Sequence, residues 1–213
     1  MRRHEAHQLL SALPTARDAW LNRTIADLPA DALWLAGSLG RGEGDQWSDV
    51  DLIVVGCELP LHDALLTLEV PHNGPAAGRY VGAMYALGEL PLWVDWYSWP
   101  SELPTPRDAR LLAGHGHPSP YTLFELLDYH GRGPHTVNTA STFTLAMLPL
   151  AAKFIARGNV PAAVSMATML GANTEPSLLH GLRDVLIRTP GSAAVRDRVG
   201  RVLDIAAALT TPT

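Results

Sequence analysis

The feature that most constrains this chain is a pair of aspartates, Asp49 and Asp51, at the start of the apolar and β-branched run Val50–Val55. Because side chains alternate between the two faces of a strand, both carboxylates are expected on one face, roughly 6–7 Å apart. Val50 and Leu52 are then expected to point into the core. Two like charges on one face repel each other, and Mg²⁺ resolves this by taking oxygen ligands from carboxylates, water and substrate phosphates. The pair therefore predicts a buried strand with a metal and a phosphate-bearing ligand.

A glycine-rich segment precedes the two aspartates. The apolar run that starts at Ala32 stops at Gly37-Ser38, and three more glycines follow at Gly40, Gly42 and Gly44. Glycine lets the backbone come close to a ligand and aim its N–H groups at it. If Ser38 begins a helix, the positive end of the helix dipole also faces the phosphates, and Arg41 adds a charged contact. The segment is therefore predicted to bind a polyphosphate.

Together these residues resemble the signature of the DNA polymerase β superfamily of nucleotidyltransferases, in which an apolar-Gly-Gly/Ser segment is followed, after a short gap, by Asp-apolar-Asp/Glu-apolar. The Gly-Ser-x-x-Arg-Gly and Ser-Asp-x-Asp-Leu segments are most similar to minimal and aminoglycoside nucleotidyltransferases. The resemblance implies that Asp49 and Asp51 are catalytic and bind two Mg²⁺ ions. Nucleotide contacts are implied for Gly37, Ser38, Arg41 and Ser48.

The superfamily also requires a third carboxylate on a neighbouring strand, and Asp95 lies in the apolar run from Leu92 to Trp99. A lone aspartate in such a run is otherwise hard to explain, because burying an unpaired charge is costly. By resemblance, Asp95 binds a metal, acts as the base on the incoming hydroxyl, or does both. The neighbouring Trp93 is expected to pack in the core rather than bind the substrate.

A lysine in the C-terminal part carries a looser resemblance. Lys153 lies in an apolar helical segment that ends at Arg157-Gly158. Helical domains of antibiotic-modifying members carry a similar lysine, which contacts the triphosphate of the nucleotide. A compact ammonium charge suits that contact, so Lys153 is implied as a further nucleotide-binding residue.

The distribution of periodic patterns predicts two domains. Residues 1–115 mix helical and strand signals, whereas residues 116–213 read as helices separated by Gly, Pro and Asn. Strands are predicted over 32–37, 50–55, 79–87 and 92–99, one or two helices over 4–28, and further helices over 59–70, 120–130, 138–157, 160–171, 176–188 and 192–209. Asn138 or Thr136 is a candidate helix cap, and Gly158 and Gly171 are predicted to end helices. The fold class expected is α/β (α+β), with a small mixed-sheet nucleotidyltransferase domain followed by an all-helical bundle that closes on the substrate and the nucleotide.

Composition limits the compartment and the partners. The single cysteine, Cys57, excludes a disulfide framework and suits a reducing cytoplasm, so a cytoplasmic location is expected. No run reaches about 18 consecutive apolar residues, which argues against a membrane partner. The net charge of −5 comes with no basic block, so duplex DNA is not an expected partner. A homodimer is expected only by analogy with related enzymes.

The resemblance implies transfer of a nucleoside monophosphate, with AMP from ATP preferred, to a hydroxyl of a small molecule such as an aminoglycoside-like antibiotic. An alternative is a toxin-antitoxin type nucleotidyltransferase that binds or modifies a partner protein or RNA. A third is a catalytically silent scaffold, against which the complete set of acids argues. Arg110 and His115 match the Arg-x4-His spacing of an RNase module that partners minimal nucleotidyltransferases, but they fall in a Gly-rich segment and are interpreted as coincidence.

Overall fold

The computed structural model describes residues 1–135, 140–175 and 177–210. A mixed six-stranded sheet occupies its middle, in the order β3-β4-β5-β2-β1-β6. The strands are β1 Ala32–Ala36, β2 Val50–Val55, β3 Leu66–Glu69, β4 Arg79–Leu87, β5 Leu90–Ser98 and β6 Arg110–Gly114. The helices are α1 Arg3–Asp27, α2 Gly37–Gly40, α3 Leu123–His130, α4 Ala140–Ala156, α5 Val160–Met169, α6 Leu178–Arg188 and α7 Ala193–Thr210. The predicted α+β fold class is confirmed.

Contacts divide the chain into two compact units. The sheet unit comprises residues 14–85 and 92–138, and the helical unit comprises residues 1–13, 86–91 and 139–213. The sheet unit includes α3 and so extends past the predicted boundary at residue 115. None of the helices in the described parts of the chain is long and apolar enough to cross a membrane.

Two predicted elements differ from the structure. The predicted helix over 59–70 is wrong: residues 66–69 form β3, which pairs antiparallel with β4. The closely spaced leucines fit helical spacing, but only alternate positions are shielded: Leu68 is buried while Thr67 and Glu69 are exposed. The second difference is β6, which was not predicted. It pairs antiparallel with β1 at the edge of the sheet, so its side chains are largely exposed and lack the apolar alternation of an inner strand.

The two faces of the sheet are covered by different helices, after which we name them. On the α3 face, Trp34, Ile53 and Tyr97 pack with one side of α3. That side presents Leu123, Leu126 and Leu127, which are all buried. Their spacing of three and four residues gives a helix one apolar stripe.

The opposite face is covered by α1 and is named the α1 face. Trp20 of α1 lies over Tyr85 and Trp96, with ring centroids 5.1 and 6.2 Å away. Leu52 and Val54 of β2 are fully buried and alternate with Asp51 and Ile53. The alternation predicted for β2 is therefore present, and it places Asp51 on the α3 face together with Ile53.

The helical unit has its own core, formed mainly by α4, α6 and α7. Its fully buried side chains include Leu145, Leu148, Leu182, Leu203 and Ile205. Asn159 and Ser177 cap the N-termini of α5 and α6 by accepting hydrogen bonds from backbone N–H groups. The predicted helix stops at Gly158 and Gly171 are confirmed by positive φ angles of 72° and 67°. The predicted caps Thr136 and Asn138 lie outside the described residues.

Candidate active site

Two of the three predicted acids lie directly opposite each other. Strands β2 and β5 run parallel, and Asp51 is the register partner of Asp95. Their side chains are hydrogen-bonded, which requires a proton on one of the two carboxyl groups, because ionised carboxylates only accept hydrogen bonds. Burial raises the pKa of Asp51 well above its usual range, and the negative charges of Asp95 and Asp49 raise it further. The pair is thus a partly buried, electrostatically unfavourable arrangement of carboxylates.

Gly37 places backbone directly against this pair. Its φ is 62°, in the left-handed region that glycine tolerates and other residues avoid. A Cβ atom at this position would overlap Oδ2 of Asp51. The backbone at Gly37 therefore lies directly against the Asp51 carboxylate, and the predicted contact of Gly37 with a nucleotide stays a prediction.

The segment between Gly37 and the aspartates folds back on itself. The Ser38 hydroxyl lies 3.1 Å from the Ser48 hydroxyl, across ten sequence positions. Ser48 also accepts a hydrogen bond from the Asp45 backbone N–H and donates to Asp45 Oδ1, both at 2.9 Å. These bonds bring together two of the residues implied in nucleotide binding.

Sequence reasoning missed the arginine that holds this loop. Arg17 of α1 is buried, with 6% of its surface exposed. Its guanidinium donates to the backbone oxygens of Asp45 and Ser48 at 3.1 and 3.0 Å. Asp49 follows directly, so Arg17 fixes the backbone from which that carboxylate projects. The sequence does contain a sign of this role. Arg17 lies four residues before Leu21, at a position where the helical spacing of α1 predicts an apolar residue.

Asp95 is held by two aromatic donors. Tyr80 Oη donates to Asp95 Oδ1 at 2.5 Å, and Trp93 Nε1 donates to the same oxygen at 2.8 Å. Burial and then the Asp95 charge raise the pKa of Tyr80 and of Tyr97, so both phenols stay protonated. Their rings pack edge-to-face with centroids 5.1 Å apart. Trp93, expected to act only in packing, thus contacts an acid of the site.

The remaining predicted site residues to place are Asp49, Arg41 and Lys153. Asp49 immediately precedes β2, and its charge contributes to raising the pKa of Asp51. Arg41 is exposed and donates to Glu43 at 2.8 Å, and this hydrogen bond is the main cause of its own raised pKa. The Arg41 charge lowers the pKa of Asp51. Lys153 lies on α4 in the helical unit, and its role in nucleotide binding stays a prediction.

Asp51 and Asp95 supply oxygen donors, the ligand type that Mg²⁺ accepts. Within the described residues, no three His, Cys, Asp or Glu side chains form a group that could hold a metal by themselves. Mg²⁺ is usually bound through one or two carboxylates together with water and substrate phosphates, so it does not need a preformed protein cage. Asp51 and Asp95 provide such a pair, and their mutual repulsion is what a cation would neutralise.

Comparison with known proteins identifies no relative of this chain. No family model matches this chain, and no curated protein is significantly similar to it. The resemblance to the polymerase β superfamily therefore stays a prediction from the sequence motif.

Proposed function

We propose that this protein is a Mg²⁺-dependent nucleotidyltransferase that transfers AMP from ATP to a hydroxyl of a small acceptor, such as an aminoglycoside-like antibiotic. The observation that carries the proposal is the register of β2 and β5, which sets Asp51 opposite Asp95, with the Gly37 backbone against the Asp51 carboxylate. Structural stability alone does not account for this pair, because like charges that are partly buried together destabilise a fold. A role in binding a cation would account for the arrangement.

In the proposed reaction, the acceptor hydroxyl oxygen attacks the α-phosphorus of ATP. The new P–O bond forms as the bond to pyrophosphate breaks, and the hydroxyl loses its proton. Asp49, Asp51 and Asp95 would hold two Mg²⁺ ions, which when bound stabilise charge on the attacking and leaving oxygens. Asp95 is proposed as a metal ligand, as the base for the hydroxyl proton, or as both.

The glycine-rich segment would orient the nucleotide. Backbone N–H groups at Gly37 and Ser38 are proposed to contact the outer phosphates, with the Ser38 hydroxyl fixed by its contact to Ser48. Holding the phosphates in one position aligns the reacting oxygen, the phosphorus and the leaving group. Arg41, which is exposed beside this segment, would add positive charge near the triphosphate.

The test is an incubation of the protein with ATP or GTP, Mg²⁺ and a panel of aminoglycosides, followed by mass spectrometry of the acceptors and measurement of released pyrophosphate. The proposal predicts an acceptor heavier by one nucleoside monophosphate. Asp51→Asn should lower the rate about 10²–10³-fold, the scale of losing one essential electrostatic group. Asp63→Asn is the matched control, because it removes the same charge from an exposed side chain.

Three outcomes separate the hypotheses. A nucleotidylated small molecule that depends on Asp51 supports the proposed function. A label found on protein or RNA instead favours the toxin-antitoxin alternative. If ATP and Mg²⁺ produce neither product nor thermal stabilisation of the protein, the chain is a silent scaffold and the proposal is wrong.

A further inference from the structure

Two aromatic donors share one oxygen of the Asp95 carboxylate, which is also hydrogen-bonded to Asp51. Both aromatic donors, Tyr80 from β4 and Trp93 from β5, reach the same atom, Oδ1. A carboxylate oxygen has about two lone-pair sites, so two donors fill its capacity. A cation that binds Asp95 must therefore be taken by Oδ2.

The two donors are themselves fixed. Tyr80 is 7% exposed, and its ring packs edge-to-face on Tyr97. Trp93 lies across the neighbouring strand at Gly82, where a Cβ atom would overlap the Trp93 ring. Gly82 thus leaves the space that the indole occupies. Because both donors are packed, they cannot easily turn away to release Oδ1.

This arrangement has a consequence for cation choice. Ca²⁺ readily accepts both oxygens of one carboxylate and takes six to eight oxygen ligands, whereas Mg²⁺ demands a compact octahedron and usually one oxygen per carboxylate. With Oδ1 filled, Asp95 can offer one oxygen only. The geometry of Asp95 is therefore suited to the smaller cation and disfavours the larger one.

We infer that Tyr80 and Trp93 are positioning residues that restrict Asp95 to single-oxygen coordination and so select Mg²⁺ over Ca²⁺ at the Asp51–Asp95 pair. The inference depends on the proposed function only in that the pair binds a divalent cation. It assigns to two aromatic residues a role in specificity that packing alone would not require. Groups that orient metal ligands in this way typically change metal affinity about 10–100-fold when they are removed.

The test measures Mg²⁺ and Ca²⁺ affinities of the full chain by isothermal titration calorimetry, in the absence of nucleotide and again with a non-hydrolysable ATP analogue. Tyr80→Phe removes one donor and keeps the ring, and Trp93→Phe removes the other. Each variant should lower the ratio of Mg²⁺ to Ca²⁺ affinity roughly tenfold. Tyr85→Phe is the matched control, because that hydroxyl lies on the α1 face and donates to Pro60 O; its affinity ratio should equal that of the wild type.

The quantity compared is the ratio of Mg²⁺ affinity to Ca²⁺ affinity. A partial loss of folded protein lowers binding of both cations equally and so leaves this ratio unchanged. Circular dichroism identifies a variant that does not fold, and the other variant then decides the question. An unchanged ratio in the folded variants overturns the inference, as does a wild-type protein that binds no divalent cation. If the ratio changes but no acceptor is ever nucleotidylated, the inference stands and the proposed function fails.

Discussion

The two faces of the sheet are built from the same strands but differ in what they bury. On the α1 face, Leu52 is fully buried, and the indole of Trp96 is satisfied, because its Nε1 donates to the Tyr85 hydroxyl at 3.0 Å. On the α3 face, alternate positions of β2 and β5 bring Asp51 against Asp95. Apolar packing on both faces stabilises the fold, but the α3 face also bears a charge repulsion that destabilises it in the absence of a cation.

The difference follows from the two-residue repeat of a strand. A shift of one residue in β2 would exchange Asp51 for Leu52 and place the acid in the apolar core. The strongly apolar α1 face thus fixes the register that brings the acids together. Separate substitutions on the two faces should separate stability from cation binding.

The largest effect on stability is expected on the α1 face. Leu52→Ala should lower the free energy of unfolding by about 3 kcal/mol, because it leaves a cavity beneath a fully buried side chain. Denaturant unfolding measures this change, with an unaltered m value. Cation affinity per folded molecule should stay at the wild-type level. A loss of cation affinity without loss of stability would contradict the division between the faces.

A smaller loss of stability is expected from Gly37→Ala, which changes the backbone next to Asp51. A left-handed φ costs a non-glycine residue about 1–2 kcal/mol, and the new Cβ must also displace the Asp51 carboxylate. Gly88→Ala is the matched control, since Gly88 has a φ of 61° and a Cβ added there would meet no heavy atom within 4 Å. Both variants should lose stability, but only Gly37→Ala should also lose Mg²⁺ affinity in calorimetry. Equal Mg²⁺ affinities would show that Gly37 does not position Asp51.

The smallest stability change should have the opposite sign. Asp51→Asn removes one of the repelling charges, so without cations it should raise the unfolding free energy by about 1 kcal/mol, a usual gain when strain at a functional site is relieved. The folded protein raises the pKa of Asp51, so ionising this group costs stability as the pH rises above the unfolded value of about 3.9. The advantage of the variant should therefore be present near neutral pH and disappear toward pH 4.

Thermal unfolding of both proteins across that pH range, in the presence of a chelator, measures the effect of Asp51→Asn. Added Mg²⁺ should then stabilise the wild type more than the variant. A variant that is less stable than the wild type at neutral pH would show that the acid pair is not a source of repulsion.

The sequence predicted the elements whose signals are local. The strands Val50–Val55 and Arg79–Leu87 match the predicted ranges, because an apolar run bounded by glycine or acidic residues marks both ends of an inner strand. The edge strand β6 was missed because an exposed strand needs no apolar alternation. The helix predicted over 59–70 failed because its leucines fit two periods, and pairing with β4 decided between them.

The sequence likewise predicted only part of the candidate site. The motif identified Gly37, Asp51 and Asp95, which the structure brings together on neighbouring strands. The contacts of Tyr80 and Arg17 could not be predicted, because each depends on elements that are distant in sequence and meet only in the folded sheet. The motif thus identified the acids of the candidate site, whereas the residues that hold those acids in place could be found only from the topology.

The parallel pairing of β2 with β5 has a consequence for how the protein is made. The chain between these strands includes all of β3 and β4, so a long loop must close before Asp51 meets Asp95. Such non-local pairings form slowly and late in folding. During synthesis, the nascent chain cannot assemble the carboxylate pair until β5 has left the ribosome, so the pair forms only after five of the six strands have been made.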